Sequence, residues 1–177
     1  MALATTFKEA INLAFPDLSD VTGLQFDGTP SQAWIVYSRS LAIDVAEMAR
    51  RLAPRFGVEP AGSLEKIEPA ALNQIPFNLC QKHNIVPLRD ERGALVIATA
   101  NPTDHDLTER LRFMAGKSIR WVLAPPQQIE DAVVMAFARE AARTTGENGV
   151  KGGSEAQVRA IDDNAKSPPQ GSASKSI

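Results

Sequence analysis

The run Leu95-Val96-Ile97-Ala98-Thr99-Ala100 constrains this chain more than any other feature. It is far shorter than the ~18 apolar residues a membrane span needs. A strand with one wet face alternates apolar and polar residues; this run does not. It therefore predicts a strand buried on both faces, which needs helices as cover. The flanking sequence supplies them. Pro69 predicts one helical turn. Pro76 predicts a second helix to about His83, because proline suits the first helical position and pushes Ile75 to extended geometry. Ile85–Leu88 reads as a short strand and Arg89-Asp90-Glu91-Arg92-Gly93 as a polar turn. After the central run, Asn101-Pro102-Thr103 leads into a helix with Leu107, Leu111 and Met114 on one side. Asp104, Asp106 and Glu109 crowd its start, and Arg110, Arg112 and Lys117 lie near its end. Both groups suit the helix dipole, and Gly116 ends the helix. Ile119–Leu123 is the next strand. Pro125 and Pro126 open a last helix carrying Ile129, Ala132, Val133, Ala136 and Phe137. The order α-β-β-α-β-α, with a unit from Leu95 to Leu123 long enough for a right-handed crossover, predicts an α/β fold. The expected form is two-layer and α+β-like: a small, mostly parallel sheet packed by helices.

The part before this unit predicts a helical N-terminal region. Phe7, Ile11, Ala14 and Phe15 sit at helical spacing, and Pro16 stops that helix. Val21–Phe26 and Ala33–Tyr37 read as short strands separated by the turn signal Asp27-Gly28. Ser40 reads as an N-cap for a helix in which Leu41, Val45, Met48, Ala49, Leu52 and Phe56 form one apolar stripe. Arg50, Arg51 and Arg55 face away from it, and Gly57 is the residue past its end.

All ten aromatic residues lie before position 138, and five of the eleven glycines follow Arg143. A stretch without aromatics and rich in Gly, Pro and Ser buries too little apolar surface to offset its ordering entropy. This divides the chain into a poorly defined segment 1–36, a folded domain 37–142 and a disordered tail or linker 143–177, with a short helix around Glu155–Ile161. A net charge of −2 gives no general attraction for nucleic acid or anionic lipid. The N-terminus meets Lys8 and Glu9 before any apolar run, so it does not read as a secretory signal. The single Cys80 leaves no internal disulfide and fits a cytoplasmic, reducing compartment.

Catalytic patterns fail on inspection. Gly116-Lys117-Ser118 looks like the end of a phosphate-binding loop. The pattern needs a glycine five positions earlier, where Leu111 stands, and its loop must open a helix rather than close one. Cys80 and His83 share a helical face but lack the further ligands of a closed zinc site, so a small buried thiol and a helix-end histidine describe them better. Asp104 and Asp106 read as helix-capping residues. Arg110, Arg112, Lys117 and Arg120 form a basic cluster, read first as a solvated helix end and second as an anion or partner site. No catalytic residue, metal or cofactor is expected.

Four blocks in fixed order carry a resemblance: Ile75-Pro76; Asn84-Ile85-Val86-Pro87-Leu88; Val96 through Asp104, ending Ala100-Asn101-Pro102-Thr103-Asp104; and Leu111-Arg112-Phe113-Met114-Ala115-Gly116. Together they resemble the N-terminal domain of the cytoplasmic assembly ATPases of type II secretion and type IV pili, without the ATPase core. The helix ending in Phe56-Gly57-Val58 is similar to the family's preceding element. The resemblance implies a non-catalytic module that docks onto the cytoplasmic part of an inner-membrane platform protein. Some family members bind cyclic di-GMP through tandem Arg-Leu-Gly motifs, which residues 1–58 lack. Two functions follow as expectations: a protein-docking adaptor, or a receptor for cyclic di-GMP or another nucleotide. An adaptor should present an exposed apolar patch; a receptor should present a deep pocket with convergent basic groups. The residues expected at the partner contact are Asn101, Pro102, Thr103 and Asp104, where a strand end meets a helix start, with Arg51 on the N-terminal helix as a second candidate. Localisation is expected to be cytoplasmic, peripheral to the membrane through that partner, without nucleic acid or membrane insertion.

Overall fold

A computed structural model describes residues 3–16 and 29–149. The expected strand Val21–Phe26 and the short helix Glu155–Ile161 lie outside the described residues. The elements are α1 (Phe7–Ala14), α2 (Pro30–Leu41), α3 (Val45–Leu52), a 3-10 turn (Ala53–Arg55), β1 (Glu59–Pro60), α4 (Pro69–Leu72), α5 (Phe77–His83), β2 (Ile85–Glu91), β3 (Ala94–Thr99), α6 (His105–Ala115), β4 (Ser118–Leu123) and α7 (Pro126–Gly149). The strands form one sheet in the order β1-β4-β3-β2. β4 is parallel to both β1 and β3, and β2 is antiparallel to β3. The fold is therefore mixed α/β with a mostly parallel sheet. Leu95 through Thr99 are all buried. Because successive strand residues point to opposite faces, β3 is covered on both.

Several boundaries differ from the sequence expectation, each for a local reason. Ala33–Tyr37 is helix, not strand. Thr29 caps α2 with a reciprocal Thr29–Gln32 capping box and Pro30 in the first turn, so an apolar stretch that alone is ambiguous becomes helical. The expected single helix from Leu41 to Phe56 is two elements. Leu41 ends α2, Ala42 adopts a left-handed cap (φ 49°), and Asp44 rather than Ser40 caps α3. Pro76 is the cap before α5, not its first residue. β2 continues three residues past Leu88, and the turn shrinks to Arg92-Gly93, both at positive φ (53° and 80°). That is the geometry of a two-residue hairpin turn whose twist matches the strands. Helix α7 runs to Gly149, seven residues beyond 142. Positions 36 and 37 fall inside α2.

The N-terminal helices share the sheet's core. Ile11, Trp34, Met48 and Leu52 lie in the same buried cluster as Ile85, Leu95, Ile97, Leu123 and Ile129. Phe7 packs against Trp34, Tyr37 and Phe56, with ring centroids 5.8, 6.3 and 6.1 Å apart. This aromatic contact joins α1, α2 and the chain after the 3-10 turn. α7 is tied to α5 by an edge-on contact of Phe77 with Phe137 at 4.9 Å. No helix among the described residues is long and apolar enough to cross a membrane.

Candidate functional site

Since β1, β3 and β4 are parallel, their C-terminal ends share one edge of the sheet. The backbone stitches this edge together. Ala124 N–H donates to the Thr99 carbonyl at 3.0 Å, and Ala61 N–H to the Leu123 carbonyl at 2.7 Å. Helices α6 and α7 both start here, so their positive dipole ends point to the same region.

The loop Asn101-Pro102-Thr103-Asp104 lies on that edge and is held by a set of short-range hydrogen bonds. Asn101 N–H donates to Thr99 Oγ1 at 3.1 Å, and Thr99 Oγ1 donates to the Asn101 carbonyl at 3.2 Å. Asn101 Oδ1 accepts from the Thr103 hydroxyl at 2.7 Å and more distantly from Thr103 N–H. Asp104 Oδ1 accepts from Leu107 N–H at 2.9 Å, which makes Asp104 the N-cap of α6. One turn on, the Thr108 hydroxyl donates to the Asp104 carbonyl and accepts from Trp121 Nε1 at 3.1 Å. The loop is thus fixed by short-range bonds and half-buried. It offers shape more than free charge.

The sequence reading missed Trp34. Its side chain is 0% exposed, and its Nε1–H donates to the Ala100 carbonyl at 2.9 Å, inside the edge where an open α/β sheet would keep a ligand crevice. An indole closes that place. The signal that could have found it is Thr29-Pro30-Ser31-Gln32, a capping box with proline in the first turn, followed by Ala33, Trp34 and Tyr37 at helical spacing. Arg51, the second expected contact, bonds elsewhere. Its Nε donates to Glu47 at 2.8 Å and its guanidinium stands 5.4 Å from the centre of the Phe15 ring. The hydrogen bond from Arg51, then that from Arg50, holds the Glu47 carboxyl below the usual range.

The remaining chemistry-bearing residues are mostly committed to the scaffold. Gly116 closes α6 at φ 62°, and Lys117 pairs with Asp90, so neither resembles a phosphate cradle. Arg112 pairs with Glu109 at 2.9 Å, and Arg120 with Glu59 at 2.9 Å and Glu91 at 3.4 Å. Cys80 is fully buried, and burial pushes its thiol up to about 12, which suits a packing role rather than a nucleophile. Among the described residues no group of three or more His, Cys, Asp or Glu could hold a metal ion. Two surface features stand out. One is a groove of 530 Å³ between the 62–72 segment and α7, with Leu64, Ile67, Leu72, Ala132 and Met135 as its apolar lining. Its rim mixes Glu65, Asp131 and Glu140 with Arg139 and Arg143. The other is Phe113, 91% exposed on α6, beside Met114 at 44%. Met114 was expected on the apolar side of this helix; it sits at its margin, while Leu107 and Leu111 fill the interior.

The MshEN domain family matches residues 56–143, a segment that contains all four sequence blocks described above. The chain is 27% identical over 101 residues to the type IV pilus assembly ATPase PilB of Myxococcus xanthus (strain DK1622). That match takes in 56% of this chain and 18% of the ATPase, so the chain spans less than a fifth of that protein's length. Among solved structures, MshE with cdg superposes with a TM-score of 0.49 at 14% identity, covering 71% of this chain and 96% of that one. The N-terminal domain of XpsE superposes with a TM-score of 0.46 at 15% identity, covering 67% and 81%. The family match over residues 56–143 and the pilus relative agree with the resemblance to the N-terminal domains of type II secretion and type IV pilus assembly ATPases.

Proposed function

We propose that the chain is a non-catalytic docking module of a type II secretion or type IV pilus machine. It binds the cytoplasmic part of the inner-membrane platform protein and is held at that membrane by its partner. The observation that carries the reading is the family match over residues 56–143. The proposed contact is the loop Asn101-Pro102-Thr103-Asp104, with Arg51 as the alternative. A loop locked by its own hydrogen bonds suits rigid docking, since little ordering entropy remains to be lost on binding. The test is capture of the platform protein's cytoplasmic domain by wild type, Asp104→Arg, Asp104→Asn and Arg51→Glu. Asp104→Asn keeps an N-cap and separates charge from helix stability. Loss of capture in Asp104→Arg alone supports the loop. Normal capture by Asp104→Arg with failure of Arg51→Glu moves the contact to α3.

A second reading, a receptor for cyclic di-GMP or another nucleotide, draws on the α7 groove, whose 530 Å³ falls in the range of small-ligand sites. The mixed signs on its rim make it a poor match for a polyanion. Titration of the protein with cyclic di-GMP, read as a rise in melting temperature, decides it: no rise at saturating ligand removes this reading.

A further inference from the structure

The groove between the 62–72 segment and α7 is uncovered among the described residues. Its α7 wall is one helical stripe: Ala132, Met135, Ala136, Arg139 and Arg143. Met135 is 59% exposed, while Ala132 and Ala136 are small and nearly buried, so space is left above them. The edge-on contact of Phe77 with Phe137 holds this wall against α5. The stripe ends in two arginines. Arg143 meets Glu140 at 3.4 Å, and Arg139 makes no ion pair among the described residues. Asp131, the groove's other carboxylate on α7, is eight residues from Arg139, about 12 Å along the helix.

The sequence that follows α7 matches this wall. Five residues, Val150 to Ser154, include Gly152-Gly153, the length and composition of a loop that joins two antiparallel helices. Ser154-Glu155-Ala156-Gln157 has the pattern of a capping box, and Pro168 sets a stop. Between them Val158, Ile161 and Ala165 recur at the spacing of one helical face. In such a helix Glu155 and Asp162 border that face on one side, Gln157 and Asn164 on the other, and Arg159 and Asp163 fall outside it.

We propose that residues 155–165 dock on the groove as a helix antiparallel to α7. Ile161 and Ala165 then lie over Met135 and Ala132, with Glu155 at Arg143 and Asp162 at Arg139. The lengths agree. Eleven residues make about 16 Å of helix, the span from Arg143 to about Ala132. Bringing Glu155 beside Arg143 means doubling back over six residues of α7, about 9 Å, and five extended residues reach about 17 Å. The short linker holds the segment at an effective concentration near millimolar, so a few contacts suffice. That advantage selects this segment over a second copy or an outside helix, either of which must displace it. The inference is independent of the docking reading above, and it places a competitor in the groove considered for a nucleotide.

The experiment uses the full chain with paired cysteines and a short bismaleimide, read as monomeric cross-linked product on a denaturing gel. Single-cysteine variants give the background from the buried Cys80. Met135→Cys with Ile161→Cys is expected to cross-link at least about tenfold faster than Phe113→Cys with Ile161→Cys, whose α6 position is exposed but off the groove. Ser63→Cys on the opposite wall, paired with Ile161→Cys, should behave as Met135→Cys does, so the result does not hang on one variant. Val158→Asp added to the Met135 pair should slow the reaction about tenfold. Arg139→Glu should also slow it, and Asp162→Arg in that background should restore it. Near-ultraviolet circular dichroism should stay at the wild-type signal throughout, since the substituted groove positions are on the surface. Equal rates for the Met135 and Phe113 pairs overturn the proposal, as does a Met135 pair unaffected by Val158→Asp. Cross-linked dimer as the main product also overturns it, because the occupant is then a second copy.

Discussion

Replacing Trp34 with phenylalanine tests how the sheet's C-terminal edge is closed. The substitution keeps an aromatic ring in a fully buried site and removes one donor, the Nε1–H that reaches the Ala100 carbonyl at 2.9 Å. Ala100 is 3% exposed, so water cannot readily replace the lost bond. Leaving a buried acceptor unsatisfied costs about 1–3 kcal/mol, and the smaller ring adds a modest cavity penalty. At roughly 2–4 °C per kcal/mol for a chain of this size, the melting temperature should fall by about 3–10 °C. The paired control is Trp121→Phe. Its indole donates to the Thr108 hydroxyl in a half-buried position, where water can donate in its place and the hydroxyl keeps its own bond to the Asp104 carbonyl. That change should cost about 1 kcal/mol or less. Thermal unfolding followed by circular dichroism gives both shifts. Fluorescence assigns them, since the sequence contains only these two tryptophans and each variant reports on the other. A Trp34→Phe midpoint within a degree of wild type, or a larger drop in Trp121→Phe, would refute the claim that the indole of α2 plugs this edge.

Asp104→Ala should remove the α6 N-cap and lower stability by about 0.5–2 kcal/mol in urea titration, with most of it recovered in Asp104→Asn; equal loss in both would mean the carboxylate matters for another reason. Cys80 should resist alkylation in the folded protein at pH 8 and react at once in denaturant; native-state labelling at the rate of a free thiol would contradict its burial. The same thiol has a pH consequence. Its folded value of about 12 lies above the ordinary 9.0, so the native state holds the proton longer than the unfolded chain. Its stabilisation is complete below about pH 9 and is lost as pH rises toward 12; wild type should therefore lose stability faster than Cys80→Ala above pH 9. Lys117→Ala should leave ATP hydrolysis at the background of the wild-type preparation and change stability by at most about 1 kcal/mol, because its pair with Asp90 is partly solvated; turnover that the substitution abolishes would reopen the phosphate-loop reading.

What the chain alone determined was whatever depends on neighbours a few residues apart. The buried strand at Leu95–Thr99, the Asp104 cap, the left-handed Gly116 and the order of elements from α4 to α7 follow from apolar runs, prolines and capping residues. The block pattern around Ile75-Pro76 and Ala100 through Asp104 carried the family resemblance for the same reason. The N-terminal third was harder to read because a short apolar stretch such as Ala33–Tyr37 suits strand and helix alike. The choice fell to a capping box upstream and to the core that receives Trp34. Likewise, Leu41 and Val45 share an apolar spacing, yet a left-handed Ala42 breaks the helix between them and Asp44 caps a new one. Tertiary structure alone decided the rest: that α2 closes the sheet edge, that Arg51 is occupied by Glu47 and Phe15, and that Phe113 points to solvent. In each case the deciding contact, or its absence, depends on which elements the fold brings together or keeps apart, and local sequence spacing carries no record of that.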